Sequence, residues 1–138
     1  MTIARRSSRR DLVGAVGEDS FLWRDAAGNF HAIFHHGDAR TRQDVGGHAF
    51  SGDGQQWELS ESDAYAPNVT TEDGVRHRYA RPQRPQLYLS DAGTPLMLIL
   101  GVAGDHLNAG PGMCVPPNPN PGCDRSYTLG VPVVVRPR

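Results

Sequence analysis

The chain has 138 residues, with 14 Lys and Arg against 15 Asp and Glu for a formal net charge of -1, which suits one domain with its own core and is short for several. Because the two signs are interspersed, there is no broad basic face of the kind nucleic-acid binders carry, and no nucleic-acid partner is expected. The longest apolar run, Pro95 to Leu100, is the length of one buried strand and far short of a bilayer span, so no membrane partner is expected either.

In chain order, residues 1 to 16 show no sustained period and read as a flexible arm, with a short strand near Leu12 to Val16 and a solvated cluster at Arg5, Arg6, Arg9 and Arg10. Those arginines are not followed by an apolar stretch, so the chain as it stands has no secretory signal; it is either intracellular or lacks an upstream part. Strand signals begin at Phe21-Leu22-Trp23, turn at Asp25 to Asn29 and return over Phe30 to Phe34. Gly47 to Ser51 and Gln56 to Leu59 bracket the turn Gly52-Asp53-Gly54, where glycine and aspartate tolerate a positive φ. Asn68 to Thr71 and Val75 to Tyr79 form a third hairpin about Glu72-Asp73-Gly74, and Leu87 to Leu89 with Leu96 to Val102 form a fourth about Ser90 to Gly93. Tyr127 to Leu129 and Val131 to Val135 close the series, with Pro132 marking an edge strand.

No amphipathic helix is predicted. Short strands separated by turns about every ten residues mean an all-β sandwich, barrel or propeller. One feature selects among these. Glu18-Asp19-Ser20 before Phe21-Leu22-Trp23 and Gly28 recurs as Gln83-Arg84-Pro85 before Leu87-Tyr88-Leu89 and Gly93, a large repeat unit of the propeller kind. The predicted organisation is an arm over 1–16 and one all-β domain over 17–138. That domain holds blade-like units at 17–60 and 65–138, the second carrying a Gly/Pro/Asn-rich loop at 103–124. Its antiparallel four-stranded meander blades form an incomplete ring.

Cys114 and Cys123 flank that Pro/Asn/Gly segment. Either they form a disulfide stapling the loop, which would place the protein outside the cell, or they are two free thiols of a cytosolic loop. Two thiols with neither a His pair nor a second Cys pair beside them fall short of a zinc site, so no metal and no cofactor is expected.

The string Glu18-Asp19-Ser20-Phe21-Leu22-Trp23-Arg24-Asp25, then Gly28, His31, Ala32 and His35, then Gly46-Gly47-His48-Ala49-Phe50-Ser51-Gly52-Asp53-Gly54 and Trp57, and finally Arg81-Pro82-Gln83-Arg84-Pro85, resembles the five-bladed β-propeller glycoside hydrolases of the arabinanase, levansucrase and invertase type. The match runs from about Gly17 to Val102, some two blades. The resemblance implies a funnel where the first strands of the blades present carboxylates as base or nucleophile, transition-state stabiliser and general acid. Asp19 falls at the stabilising aspartate of an Asp-Pro motif, with Ser20 in place of the proline. Gln83 falls at the acid glutamate of a Glu-Arg-Pro motif, where an amide has no proton to donate, and Pro82 replaces the arginine before it. Glu18 has the register of Gln83 and is the remaining catalytic candidate with Asp19.

His35, His48, Gln83 and Arg84 are the expected substrate contacts, on an oligo- or polysaccharide, and the bland reading of the histidines is hydrogen bonding in a half-buried sheet. Trp23 and Trp57 read as packing residues. From another class, the alternative is a non-catalytic glycan-binding or self-assembling module. Open sheet edges would then be covered by another copy, or by missing blades supplied by another chain.

Overall fold

A computed structural model describes residues 18–38, 43–105 and 126–133. Among these there are eight strands and no helix: β1 (Glu18–Arg24), β2 (Phe30–Asp38), β3 (Gln43–Ser51), β4 (Glu58–Leu59), β5 (Asn68–Thr70), β6 (Arg76–Leu89), β7 (Pro95–Asp105) and β8 (Ser126–Pro132). They form two four-stranded antiparallel sheets, β1-β2-β3-β4 (sheet 1) and β5-β6-β7-β8 (sheet 2), each a meander in sequence order. The expected all-β class and four-stranded meanders are therefore present. The expected strand at Leu12 to Val16, the arginine cluster and the cysteine pair lie outside the described residues.

Residue alternation explains how the sheets meet. Leu98, Leu100 and Val102 on β7 face inward and are buried with Ile33, Tyr65 and Tyr79, against which Phe21, Trp23, Leu87, Leu129 and Val131 pack. This is one core made by the inner faces of both sheets, and β6 is the strand of sheet 2 that runs against β1, β2 and β3. Burying each such aliphatic side chain stabilises the fold by about 1.5–3 kcal/mol. On the outer face of sheet 1 a second cluster joins Ala32, Phe34 and Ala49, with Trp57 packed on it.

The Gly46-Gly47 pair is explained by what lies over it. A Cβ on Gly46 would sit 2.0 Å from the Tyr65 ring, and one on Gly47 2.2 Å from the Phe34 ring. Tyr65 also ties sheet 1 to the segment leading into sheet 2. Gly46 N–H donates to Tyr65 O at 2.9 Å, and Tyr79 N–H donates to Pro67 O at 2.9 Å.

The sequence pattern assigns Val75 to Tyr79 and Leu87 to Leu89 to separate hairpins, whereas β6 runs through both as one strand. Pro82 and Pro85 lie between these two segments. Each follows an arginine at positive φ, Arg81 (φ 50°) and Arg84 (φ 54°), in a register shift of the β6–β7 ladder. A bulge is where a strand tolerates a residue without an N–H, and both prolines are fully buried there. β4 is shorter than expected. The Asp53 carboxylate accepts from Gln55 and Gln56 N–H, both at 2.8 Å, holding the chain in the turn up to Trp57.

Candidate functional site

The two halves of the sequence repeat share a bulge at the same place, although the β6–β7 ladder shifts once more between Tyr88 and Leu89, where the β1–β2 ladder is regular. In β1–β2 the register steps from Glu18↔His35 to Phe21↔Ile33, and in β6–β7 from Gln83↔Gly101 to Gln86↔Ile99. Each step sets one extra residue into the first strand. Within it, Asp19 (φ 59°) and Arg84 (φ 54°) take the left-handed conformation, which is rare and costly for side chains other than glycine, asparagine and aspartate.

The turns that follow are also alike. Asp25 N–H donates to Asn29 O at 3.0 Å and Gly28 N–H to Asp25 O at 2.9 Å; Ser90 N–H donates to Thr94 O and Gly93 N–H to Ser90 O, both at 2.9 Å. A side-chain oxygen caps each turn, Asp25 Oδ1 accepting from Asn29 N–H at 2.8 Å and Ser90 Oγ from Thr94 N–H at 3.1 Å. Gly28 and Gly93 supply the positive φ (87° and 75°) that closes the hairpins.

The second turn lies on the end of β1, since a Cβ on Gly93 would meet Arg24 O at 2.5 Å. Gln83 stands as many residues before its turn as Glu18 does before the first. The two bulges are thus equivalent points on β1 and on the strand that runs against it.

Of the six residues singled out from sequence, Glu18 and His35 are directly opposite each other. Glu18 and Asp19 are exposed. His35 shares the inner face with Ile33, turned towards sheet 2. Gln83 is half-buried and Arg84 exposed on β6. His48 lies on the same face of sheet 1 as His35, opposite Ile33, and is bonded into a network that includes two residues not foreseen, Asp25 and Ser60.

That network is a line of four side chains. Ser60 Oγ is 2.7 Å from His48 Nδ1, His48 Nε2 is 3.1 Å from His31 Nδ1, and His31 Nε2 is 3.3 Å from Asp25 Oδ2. The ring centroids of His31 and His48 are 5.3 Å apart, which is the nitrogen separation plus the two ring radii. The rings therefore meet edge to edge along the hydrogen bond. With both imidazoles neutral, the ionised carboxylate fixes the order of protons: His31 Nε2–H donates to Asp25, His48 Nε2–H donates to His31, and the Ser60 hydroxyl donates to His48 Nδ1. Trp23 stacks on His31 at 4.8 Å.

The Asn29 side-chain amide, helped by the Asn29 N–H and His31, holds the Asp25 carboxyl down at about 2. Burial, and then the charge of His31, push His48 below its ordinary 6.5.

A His whose folded pKa is lowered favours folding while neutral, and the unfolded chain binds the extra proton. That contribution is complete above 6.5 and is lost as the pH falls from 6.5 through the folded-state value. The thermal midpoint should fall on acidification through this window, and His48→Gln should flatten that part of the pH profile in a calorimetric series. An unchanged slope in the variant would remove His48 as its source.

Asp25 was read from sequence only as turn chemistry, a reading its Asn29 bonds bear out; its second role depends on His31, six residues on. Ser60 carried no sequence signal, since only the β3–β4 pairing brings it to His48. Among the described residues no group of three or more His, Cys, Asp and Glu is arranged to hold a metal ion. No family model matches the chain, and no significant match to it was found among curated proteins or solved structures.

Proposed function

We propose that this is a carbohydrate-active protein of propeller type. It engages an oligo- or polysaccharide between two equivalent mouths, Glu18, Asp19 and His35 on sheet 1 and Gln83 and Arg84 on sheet 2, with His48 on the same face. The observation that carries this reading is the repeated bulge, with Asp19 and Arg84 at its left-handed position and Glu18 and Gln83 at its first pair. The left-handed backbone is costly for Arg84, though readily adopted by an aspartate such as Asp19, and strain of that kind clusters at ligand sites. The two bulges lie on β1, the first strand of sheet 1, and on β6, the second of sheet 2, and their equivalence within the repeat is what supports the resemblance to glycosidase propellers.

The chemistry suits sugar hydroxyls. Carboxylates at Glu18 and Asp19 accept, the Arg84 guanidinium donates, and the Gln83 amide does both. Cleavage of a glycosidic bond needs a proton donor for the leaving oxygen and a carboxylate on the other side. With an amide at 83, any cleavage rests on Glu18 and Asp19, and turnover is slow beside binding.

A panel of plant and algal oligosaccharides for binding, and aryl-glycosides for cleavage, tests the reading. Wild type should bind at least one glycan class, and Asp19→Asn should weaken that binding about tenfold, the loss of one charge-assisted hydrogen bond. Binding and cleavage unchanged in Asp19→Asn would remove Asp19 from the site, and a panel without any bound sugar would remove the function.

A further inference from the structure

Strand β6 carries one three-residue unit twice. Against β7 its register steps from Ala80↔Ala103 to Gln83↔Gly101 to Gln86↔Ile99, so that three residues of β6 advance the ladder by two of β7 each time. In both steps the middle residue is an arginine in the left-handed conformation, Arg81 (φ 50°) and Arg84 (φ 54°). The third is a fully buried proline, Pro82 or Pro85, opposite the fully buried Val102 or Leu100. The prolines hold the strand inward. The arginines, exposed in both units, repeat one position at a spacing of about 7 Å, two residues of antiparallel strand.

Glycine is the residue that a bulge with this backbone ordinarily takes, and an arginine there is costly. β6 carries that cost twice. Among the described residues no hydrogen bond or ion pair reaches either guanidinium, so no contact there offsets it. The strand also holds Arg76 and Arg78 and has no acidic residue, in a chain whose formal net charge is -1.

We infer that Arg81 and Arg84 form an anion-binding row, and that the ligand of the proposed function is an acidic polysaccharide bearing carboxylate or sulfate groups. This rests on the carbohydrate reading and adds a charge to the sugar. A guanidinium fork takes either oxyanion through two parallel N–H donors, and two forks in one row meet successive charged groups of a chain lying along β6. Glu18 and Asp19 at the neighbouring mouth repel an unbroken run of phosphates and accept from hydroxyls. They favour a ligand with hydroxyls between its charges over a nucleic acid.

Titration of the full chain tests this with uronate oligosaccharides, sulfated oligosaccharides, neutral oligosaccharides of the same length and a single-stranded oligonucleotide. Wild type should bind an acidic oligosaccharide about tenfold or more tightly than its neutral counterpart, and added salt should erode that preference. The acidic set that binds tells carboxylate from sulfate. Arg81→Gly and Arg84→Gly should fold as well as wild type, because glycine suits the bulge, and each should remove most of the preference. Arg81→Gln and Arg84→Gln, which drop the charge and keep a side chain, give the same reading should a glycine variant not fold. Equal binding of acidic and neutral sugars, or a preference kept in the arginine variants, overturns the inference and leaves the carbohydrate reading standing. Tighter binding of the oligonucleotide than of any sugar overturns it as well, and a chain that binds no sugar at all overturns both proposals. A preference lost in the arginine variants yet unchanged in Asp19→Asn upholds the row and removes the paired mouths.

Discussion

Leu100→Ala is expected to lower stability by about 2–5 kcal/mol, the cost of opening a cavity in a tight core. Leu100 is among the largest fully buried side chains and belongs to the cluster that also holds Ile33 of sheet 1 and Tyr79, Leu98 and Val102 of sheet 2. The loss should therefore fall on both sheets together. Urea unfolding followed by Trp23 and Trp57 fluorescence, both tryptophans being in or beside sheet 1, should move in step with circular dichroism, which reports all strands. Two separated transitions would mean that the sheets are independent, and the paired mouths would then lack a fixed relation. Tyr88→Phe, on the open outer face, is the control with little expected effect.

Gly46→Ala is expected to cost about 1–3 kcal/mol or more by overpacking, because the added methyl falls inside the Tyr65 ring, 2.0 Å from its nearest atom. Tyr65 is itself buried in the shared core, so the ring has nowhere to go without disturbing Ile33 or Tyr79. Gly47→Ala should behave alike through Phe34 on the opposite face, and Gly52→Ala, with nothing within 4 Å of its added Cβ, should be close to neutral. Thermal melts of the three variants check the order. Equal stability of all three would mean that the two rings do not lie over the glycines.

Much of the fold was legible because its signals are local. Asp25 to Asn29, Glu72-Asp73-Gly74 and Ser90 to Gly93 place a glycine where a hairpin needs a positive φ, and the structure turns at all three. The apolar run from Leu96 to Val102 marked β7 as a strand but, being apolar on both faces, did not show that Leu98, Leu100 and Val102 are the buried set. What escaped was set by partners distant in sequence. Arg81-Pro82 and Arg84-Pro85 look like breaks in isolation, and only the ladder to β7 turns them into bulges of one long strand. The site was legible to the same degree. The equivalence of Glu18 with Gln83 follows from the repeat and is kept by the backbone. The line from Ser60 through His48 and His31 to Asp25 was not readable, because no spacing along the chain reports which imidazole edge meets which across β2 and β3.

The equivalence of the two mouths also sets what the chemistry lacks. One bulge carries Glu18 and Asp19, the other Gln83 and Arg84, so one strand offers ionised acceptors only and its counterpart all the donors, with the Gln83 carbonyl oxygen as a further acceptor. That division suits holding a hydroxyl-rich chain between them more than it suits transferring a proton to a leaving oxygen. If the proposed function holds, Gln83→Glu would supply a proton donor at this position, and it should raise cleavage of an aryl-glycoside that the wild type binds, read as initial rate against pH. No gain at any pH would mean that position 83 does not face the scissile bond.

In the proposed function one sugar chain lies between the two bulges. Amide chemical shifts followed by NMR during titration with an oligosaccharide that the binding panel selects test this most directly. Concerted changes are expected at residues 18 to 21, His35 and residues 83 to 86, all with one dissociation constant. Changes confined to one bulge, or lying at neither while the sugar still binds, would contradict it.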